Sequence, residues 1–225
     1  MARLPRLALA GHTHWVVQLS HQALTPFVDE QDRMQYLAAL QLAAQQEDVQ
    51  LLAYALCDGA VHLLLTPREG PSLGRLMQAV GRRYVSAHHR RHGGSGTLWN
   101  GRFRCAVVEP GATLLEVLCF IDSQGADISR TGQRHRTVGE TAGPAVPALA
   151  DPPAYWALGN TPFDRQAAWR QRLADGLNPA RTDALLKAAL GSWAVGSAAF
   201  AQTVAEAAAR PAAPRPRGRP RRTAA

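Results

Sequence analysis

The chain has 225 residues with 46% hydrophobic composition, enough for one ordinary core without disulfide support. No run reaches about 18 apolar residues, and no charged start leads into a long apolar segment, so the sequence argues against membrane insertion and export and for a cytoplasmic protein. The formal charge of +8 is uneven: six arginines and no acids follow residue 209, which leaves 19 basic against 17 acidic residues before it.

Leu7 to Leu19 reads as a first strand, carried by His14-Trp15-Val16-Val17-Gln18-Leu19. Residues 29–46 read as an amphipathic helix with Asp29 as its cap. Val49 to Leu56, the turn Asp58-Gly59 and Ala60 to Thr66 form a hairpin, which Pro67-Arg68-Glu69-Gly70-Pro71 ends. Leu73 to His89 is a long helix with Leu73, Leu76, Met77, Val80 and Tyr84 on one side, followed by a Gly93-Gly94-Ser95-Gly96 turn. Phe103 to Val108 supplies a fourth strand and Thr113 to Ser123 a further helix. This order predicts an α+β, ferredoxin-like sandwich with an antiparallel sheet, both helices on one face and the other face open to a ligand or partner.

The remainder divides by composition. Residues 1–128 form the main domain, 129–153 a Gly/Pro/Ala-rich connector, 154–209 a small helical extension and 210–225 a basic tail expected to be disordered. Trp156, Trp169 and Trp193 are expected to be packing anchors of the extension. The tail could hold phosphates without reading sequence or simply be solvated. All but Lys187 of the 25 basic residues are arginine, so coding bias is a third source of the excess. Cys57, Cys105 and Cys119 form no CxxC pair and are expected as buried free thiols.

The run from Arg90 through Gly93-Gly94-Ser95-Gly96-Thr97-Leu98-Trp99-Asn100-Gly101-Arg102-Phe103, following Gly81-Arg82-Arg83-Tyr84-Val85, resembles the REP-associated tyrosine transposases, a branch of the single-tyrosine HUH transposases. The likeness covers about residues 1 to 128, with weaker similarity around Tyr155 to Gly159 and Trp193 to Ser197. It implies single-stranded DNA carrying palindromic hairpins as the partner, a monomer or homodimer, and Mg²⁺ or Mn²⁺ held by His-x-His where the protein is active. In such chemistry a tyrosine hydroxyl attacks phosphorus while the cation stabilises the growing charge on the phosphoryl oxygens.

Carried onto this chain, the His-x-His falls at Ala60 and His62, which alternate onto one face of a strand; only His62 can ligate. The tyrosine position falls at Phe120, which has no oxygen, and the amide ligand at Gln124. The following Gly125-Ala126-Asp127-Ile128 also departs from the family pattern. The resemblance therefore implies a DNA-binding protein that has lost cleavage, with His62 and Gln124 as residual metal ligands; an active metal-dependent transposase using displaced residues and a non-catalytic structural or interaction remnant are the alternatives. Two substitutes stay open: Tyr84 as a displaced nucleophile rather than a core residue, and His12 with His14 joining His62 around a metal. Arg82, Arg83, Arg90, Arg91, Arg102 and Arg104, beside His88, His89 and His92, form the expected DNA contact; Trp99 and Phe103 are expected as core residues.

Overall fold

The computed structural model describes residues 5–21, 24–124 and 147–214. Four strands, β1 (His14–Leu19), β2 (Val49–Leu56), β3 (Ala60–Pro67) and β4 (Arg104–Val107), form an antiparallel sheet in the order β2-β3-β1-β4. Helices α1 (Glu30–Gln46) and α2 (Gly70–His92) pack on one face, giving the ferredoxin-like arrangement.

Local chemistry sets the boundaries. Asp29 accepts from the Asp32 backbone N–H at 3.0 Å and caps α1. Proline at the start of α2 suits the first helical turn, where its missing N–H costs nothing, so the expected breaker Pro71 lies inside the helix. Gly93, in the left-handed region at φ 76°, stops α2 three residues later than expected. The first strand is shorter than expected because Gly11 turns the chain at φ 69° and donates its N–H to Pro67 O at 2.8 Å. Leu7 is still buried, against Val107, Val204 and Ala212.

The second sheet face is not open. Helix α3 (Ala112–Gln124) lies on it, joined by α4 (Pro153–Trp156), α5 (Pro162–Asp175) and α6 (Pro179–Gly191). Leu114, Leu118, Ile121, Tyr155, Trp169 and Leu185 share one buried cluster with Trp15, Val17 and Leu64 of the sheet. The expectation of a free face fails because α3 is strongly apolar and the extension supplies the rest of its cover. Burying each such large side chain contributes about 1.5–3 kcal/mol, so this part of the chain is integral to the core.

Packing also continues past residue 209. After α7 (Ala198–Ala207), Arg210 is buried and its guanidinium donates to Pro5 O and, at 3.2 Å, to Ser192 O, and the Ala194 N–H donates to Ala212 O at 2.7 Å. The described start of the tail is thus ordered by chain-end pairing; residues 215–225 lie outside the described part, as do the connector's residues 129–146 and the segment 125–128. Trp169 is fully buried, whereas Trp156 is exposed and is not an anchor: its ring faces Arg165 at 4.3 Å. The cysteines are free, with Cys105 and Cys119 buried and Cys57 half-buried.

Candidate functional site

Ala60 and His62 share a face of β3 with Leu64, because His62 pairs with Val17 and Leu64 with Trp15 in the α3-side cluster. Helix α3 brings Phe120 directly over this position. The His62 and Phe120 rings are 5.4 Å apart and edge-on, Trp15 lies 5.9 Å from His62 and 5.1 Å from Phe120, and all three are buried. The end of α3 reaches the β2–β3 turn, where Cys57 Sγ–H points to Gln124 O at 3.6 Å. Positions 60, 62, 120 and 124 therefore meet at one corner of the sheet.

The chemistry of that corner is apolar. Among the described residues His62 Nδ1 is buried without a partner, and burial lowers its pKa to about 4, so the ring is neutral at pH 7. Ala60 offers a methyl group and Phe120 a ring. Among the described residues His62 belongs to no group of three side chains that could hold a metal.

Neither substitute reaches it. His14 pairs with Leu65, which faces α1 and α2, so it points away from His62; its Nε2 accepts from the Leu9 N–H at 3.1 Å, and burial lowers its pKa to about 4. His12 is exposed and bonds through Nδ1 with Ala10 O at 2.9 Å. A shared His12–His14–His62 site is thus ruled out by the pleat. Tyr84 is buried in the helix-side core with Phe27, Tyr36 and Trp99, donates its hydroxyl to Pro26 O, and has its pKa raised chiefly by burial. Its core reading holds.

The arginine stripe is divided in use. Arg82, Arg90, Arg102 and Arg104 are exposed, and Arg83 is exposed with one bond to Gln46 Oε1 at 3.2 Å. Arg91 instead turns inward, bonding Asp29 Oδ2 at 2.8 Å and Asp32 Oδ1. Arg6, which sequence reasoning missed, lies over the Phe103 ring at 3.9 Å; its pKa is lowered by burial and then by the Arg102 charge. A crowded pair of like charges is one that an anion would relieve. Between helix and strand, His89 pins the glycine loop, its ring nitrogens meeting Gly93 O at 3.3 Å and Gly96 O at 3.0 Å. A Cβ on Gly94 would come within 3.3 Å of that ring, and φ there is 98°, so glycine is needed. Trp99 and Phe103 are buried, as expected.

A second group unforeseen in the sequence centres on Asp32, fully buried in the first turn of α1. Its carboxylate accepts from the Val28 N–H at 2.9 Å and from Arg91, and meets His92 Nε2 at 3.0 Å. Burial pushes its pKa up, but the His92 and Val28 hydrogen bonds and the nearby charges outweigh this and leave it below the usual range. Arg91, mainly through its hydrogen bond, holds the neighbouring Asp29 carboxyl at about 2. Donor atoms of Asp32, His88 and His92 all lie within 4.8 Å of one another. The signal in the sequence was faint: acids one turn apart at 29 and 32, and histidines one turn apart at 88 and 92.

No family model matches the sequence, and no curated protein does. Among solved structures the fold is similar to a REP-associated tyrosine transposase bound to a REP hairpin, at 15% identity and TM-score 0.46 over 54% of this chain and 71% of that one. It is also similar to a protein of Deinococcus radiodurans R1 that carries the provisional name transposase, at 26% identity and TM-score 0.36 over 56% of this chain and 99% of that one.

Proposed function

We propose that this protein is a DNA-binding descendant of single-strand DNA transposases that has lost tyrosine-mediated cleavage. The observation that carries the reading is the corner itself: the residue at the nucleophile position is a phenylalanine packed edge-on against His62 at 5.4 Å. None of the chain's four tyrosines is placed to replace it. Tyr36 and Tyr84 are in the helix-side core, Tyr54 packs against that core, and Tyr155 is buried against Trp169 at 5.8 Å. Without a hydroxyl there is no covalent phosphotyrosine, and one neutral imidazole beside Ala60 and Gln124 is a poor cradle for Mg²⁺, which favours oxygen ligands.

Binding needs none of these groups. The exposed Arg82, Arg83, Arg90, Arg102 and Arg104, with Arg6 beside them, present guanidinium forks to phosphates, and the glycine loop lets a backbone approach closely. The partner proposed is a single-stranded DNA hairpin of a palindromic repeat, met in the cytoplasm. No described helix is long and apolar enough to cross a membrane.

The test is incubation of the purified protein with end-labelled hairpin-containing single-stranded DNA, with and without Mn²⁺, on paired native and denaturing gels. A shift that weakens with salt and leaves no covalent label is expected. A manganese-dependent protein-linked label would overturn the loss of chemistry, and the absence of any shift would overturn DNA binding.

A further inference from the structure

The Asp32 cluster lies between α1 and the last turns of α2, on the opposite side of the sheet from His62. Its composition is that of a cation site. His88 and His92 stand one helical turn apart, so both rings leave α2 on one side, and their centroids are 4.7 Å apart. Asp32 faces them from α1 with a fully buried carboxylate.

Two observations separate this group from an ordinary ion-pair network. His88 is 7% exposed, yet neither ring nitrogen has a hydrogen-bond partner of ordinary geometry among the described residues. The Thr25 backbone approaches the ring without reaching that geometry, and its other neighbours are the Tyr84, His89 and His92 rings. A buried imidazole with idle nitrogens beside a carboxylate is an incomplete polar site. The charge balance also favours a cation: Arg91 is shared between Asp29 and Asp32, so two carboxylates face one guanidinium.

We infer that Asp32, His88 and His92 form a binding site for a divalent cation of the zinc, cobalt and nickel class, which clips the start of α1 to the end of α2. Two imidazole nitrogens and one carboxylate oxygen suit these borderline ions better than Mg²⁺ or Ca²⁺, and a water would complete the shell. Tetrahedral zinc with bonds of about 2.1 Å sets its ligands about 3.4 Å apart, so the present spread closes by side-chain adjustment alone. His92 exchanges its hydrogen bond with Asp32 for the metal, while Arg91 and the Val28 N–H still hold the carboxylate. The site is independent of the lost transposase centre and has a structural role: it fixes the helix end that carries Arg90 and the glycine loop.

Cobalt(II) titration of the full chain tests this. One equivalent should give the intense visible absorption of a four-coordinate ion, and zinc should bleach it. His88→Gln and His92→Gln should each weaken binding at least tenfold, and His62→Gln should leave it unchanged. Imidazole nitrogen shifts in the wild-type protein give a readout that does not depend on variants folding: zinc should move the His88 and His92 signals and leave His62 in place. Absence of a stoichiometric four-coordinate spectrum, shifts confined to other histidines, or loss of binding in His62→Gln would overturn the assignment.

Discussion

Two histidine environments in this molecule look alike in sequence and differ in physics. His62 on β3 stands where a resemblance to known transposases puts a metal ligand, yet it is enclosed by Trp15 and Phe120 with no charged partner among the described residues. His92 on α2 has no such pedigree, but its Nε2 lies 3.0 Å from a buried carboxylate that also draws in Arg91 and a backbone N–H. A ligand-type residue at a motif position is therefore not a site; its neighbours decide whether charge is tolerated there. On the α3 side apolar packing excludes charge, while in the helix layer the charge is neutralised in place.

Removing the centre of the polar group should have the largest effect. Asp32→Ala leaves Arg91 without a buried partner, the Val28 N–H unsatisfied and His92 unpaired. The expected loss is about 3–5 kcal/mol, the scale for breaking a buried pair, read by urea denaturation. Asp32→Asn, which keeps the shape and one acceptor, should lose less. Equal losses would mean that volume and not charge holds the helices together. Because the folded pKa of Asp32 is depressed, its contribution is present above the unfolded value of 3.8 and is lost as pH falls through the lower folded value.

The two buried histidines of the sheet should respond at milder acidity. His62 and His14 have folded pKa values of about 4 against 6.5 unfolded, both through burial. For a base with a depressed pKa, the unfolded chain takes up the proton first. Stability is thus full above pH 6.5 and falls down to pH 4, by on the order of 3 kcal/mol per histidine. His62→Leu should flatten that slope by about half, whereas an unchanged slope would place the proton uptake elsewhere. A smaller change is expected from Phe120→Tyr: about 1 kcal/mol for a hydroxyl entering an apolar corner, with no covalent DNA product, since Ala60 still supplies no ligand. A product from this single variant would show that the metal site needs less than two histidines.

How much of this was legible depends on the distance over which each feature is built. The sheet, its two covering helices and α3 follow from local periodicity, and the meeting of His62 with Phe120 follows from the resemblance. Pro71 was misread as part of the break after β3 because proline, which breaks a strand, is equally at home in the first turn of a helix. The cover on the second face was missed because the sequence placed α3 on neither face and the rest of the cover comes from residues after 146 that return to strands near the start of the chain. Asp32 was missed for the same reason: its partners Arg91 and His92 are 59 and 60 residues away, and only the packing of α1 against α2 brings them together.

The smallest expected effect is the sharpest discriminator, because it uses adjacent residues of one type. Arg90 is exposed at the end of α2, while the Arg91 side chain is 23% exposed and tied to Asp29 and Asp32. If exposed guanidinium charge carries DNA affinity, Arg90→Ala should weaken hairpin binding a few-fold, under about 1 kcal/mol, and reduce the salt slope by about one. Unfolding should be unaffected. Arg91→Ala should do the reverse, lowering stability because two carboxylates lose their shared cation, while the salt slope of the protein that remains folded stays near that of the wild type. Equal slopes lost by both variants would mean that Arg91 leaves its carboxylates when DNA arrives, and the helix end would then be a surface that rearranges on binding.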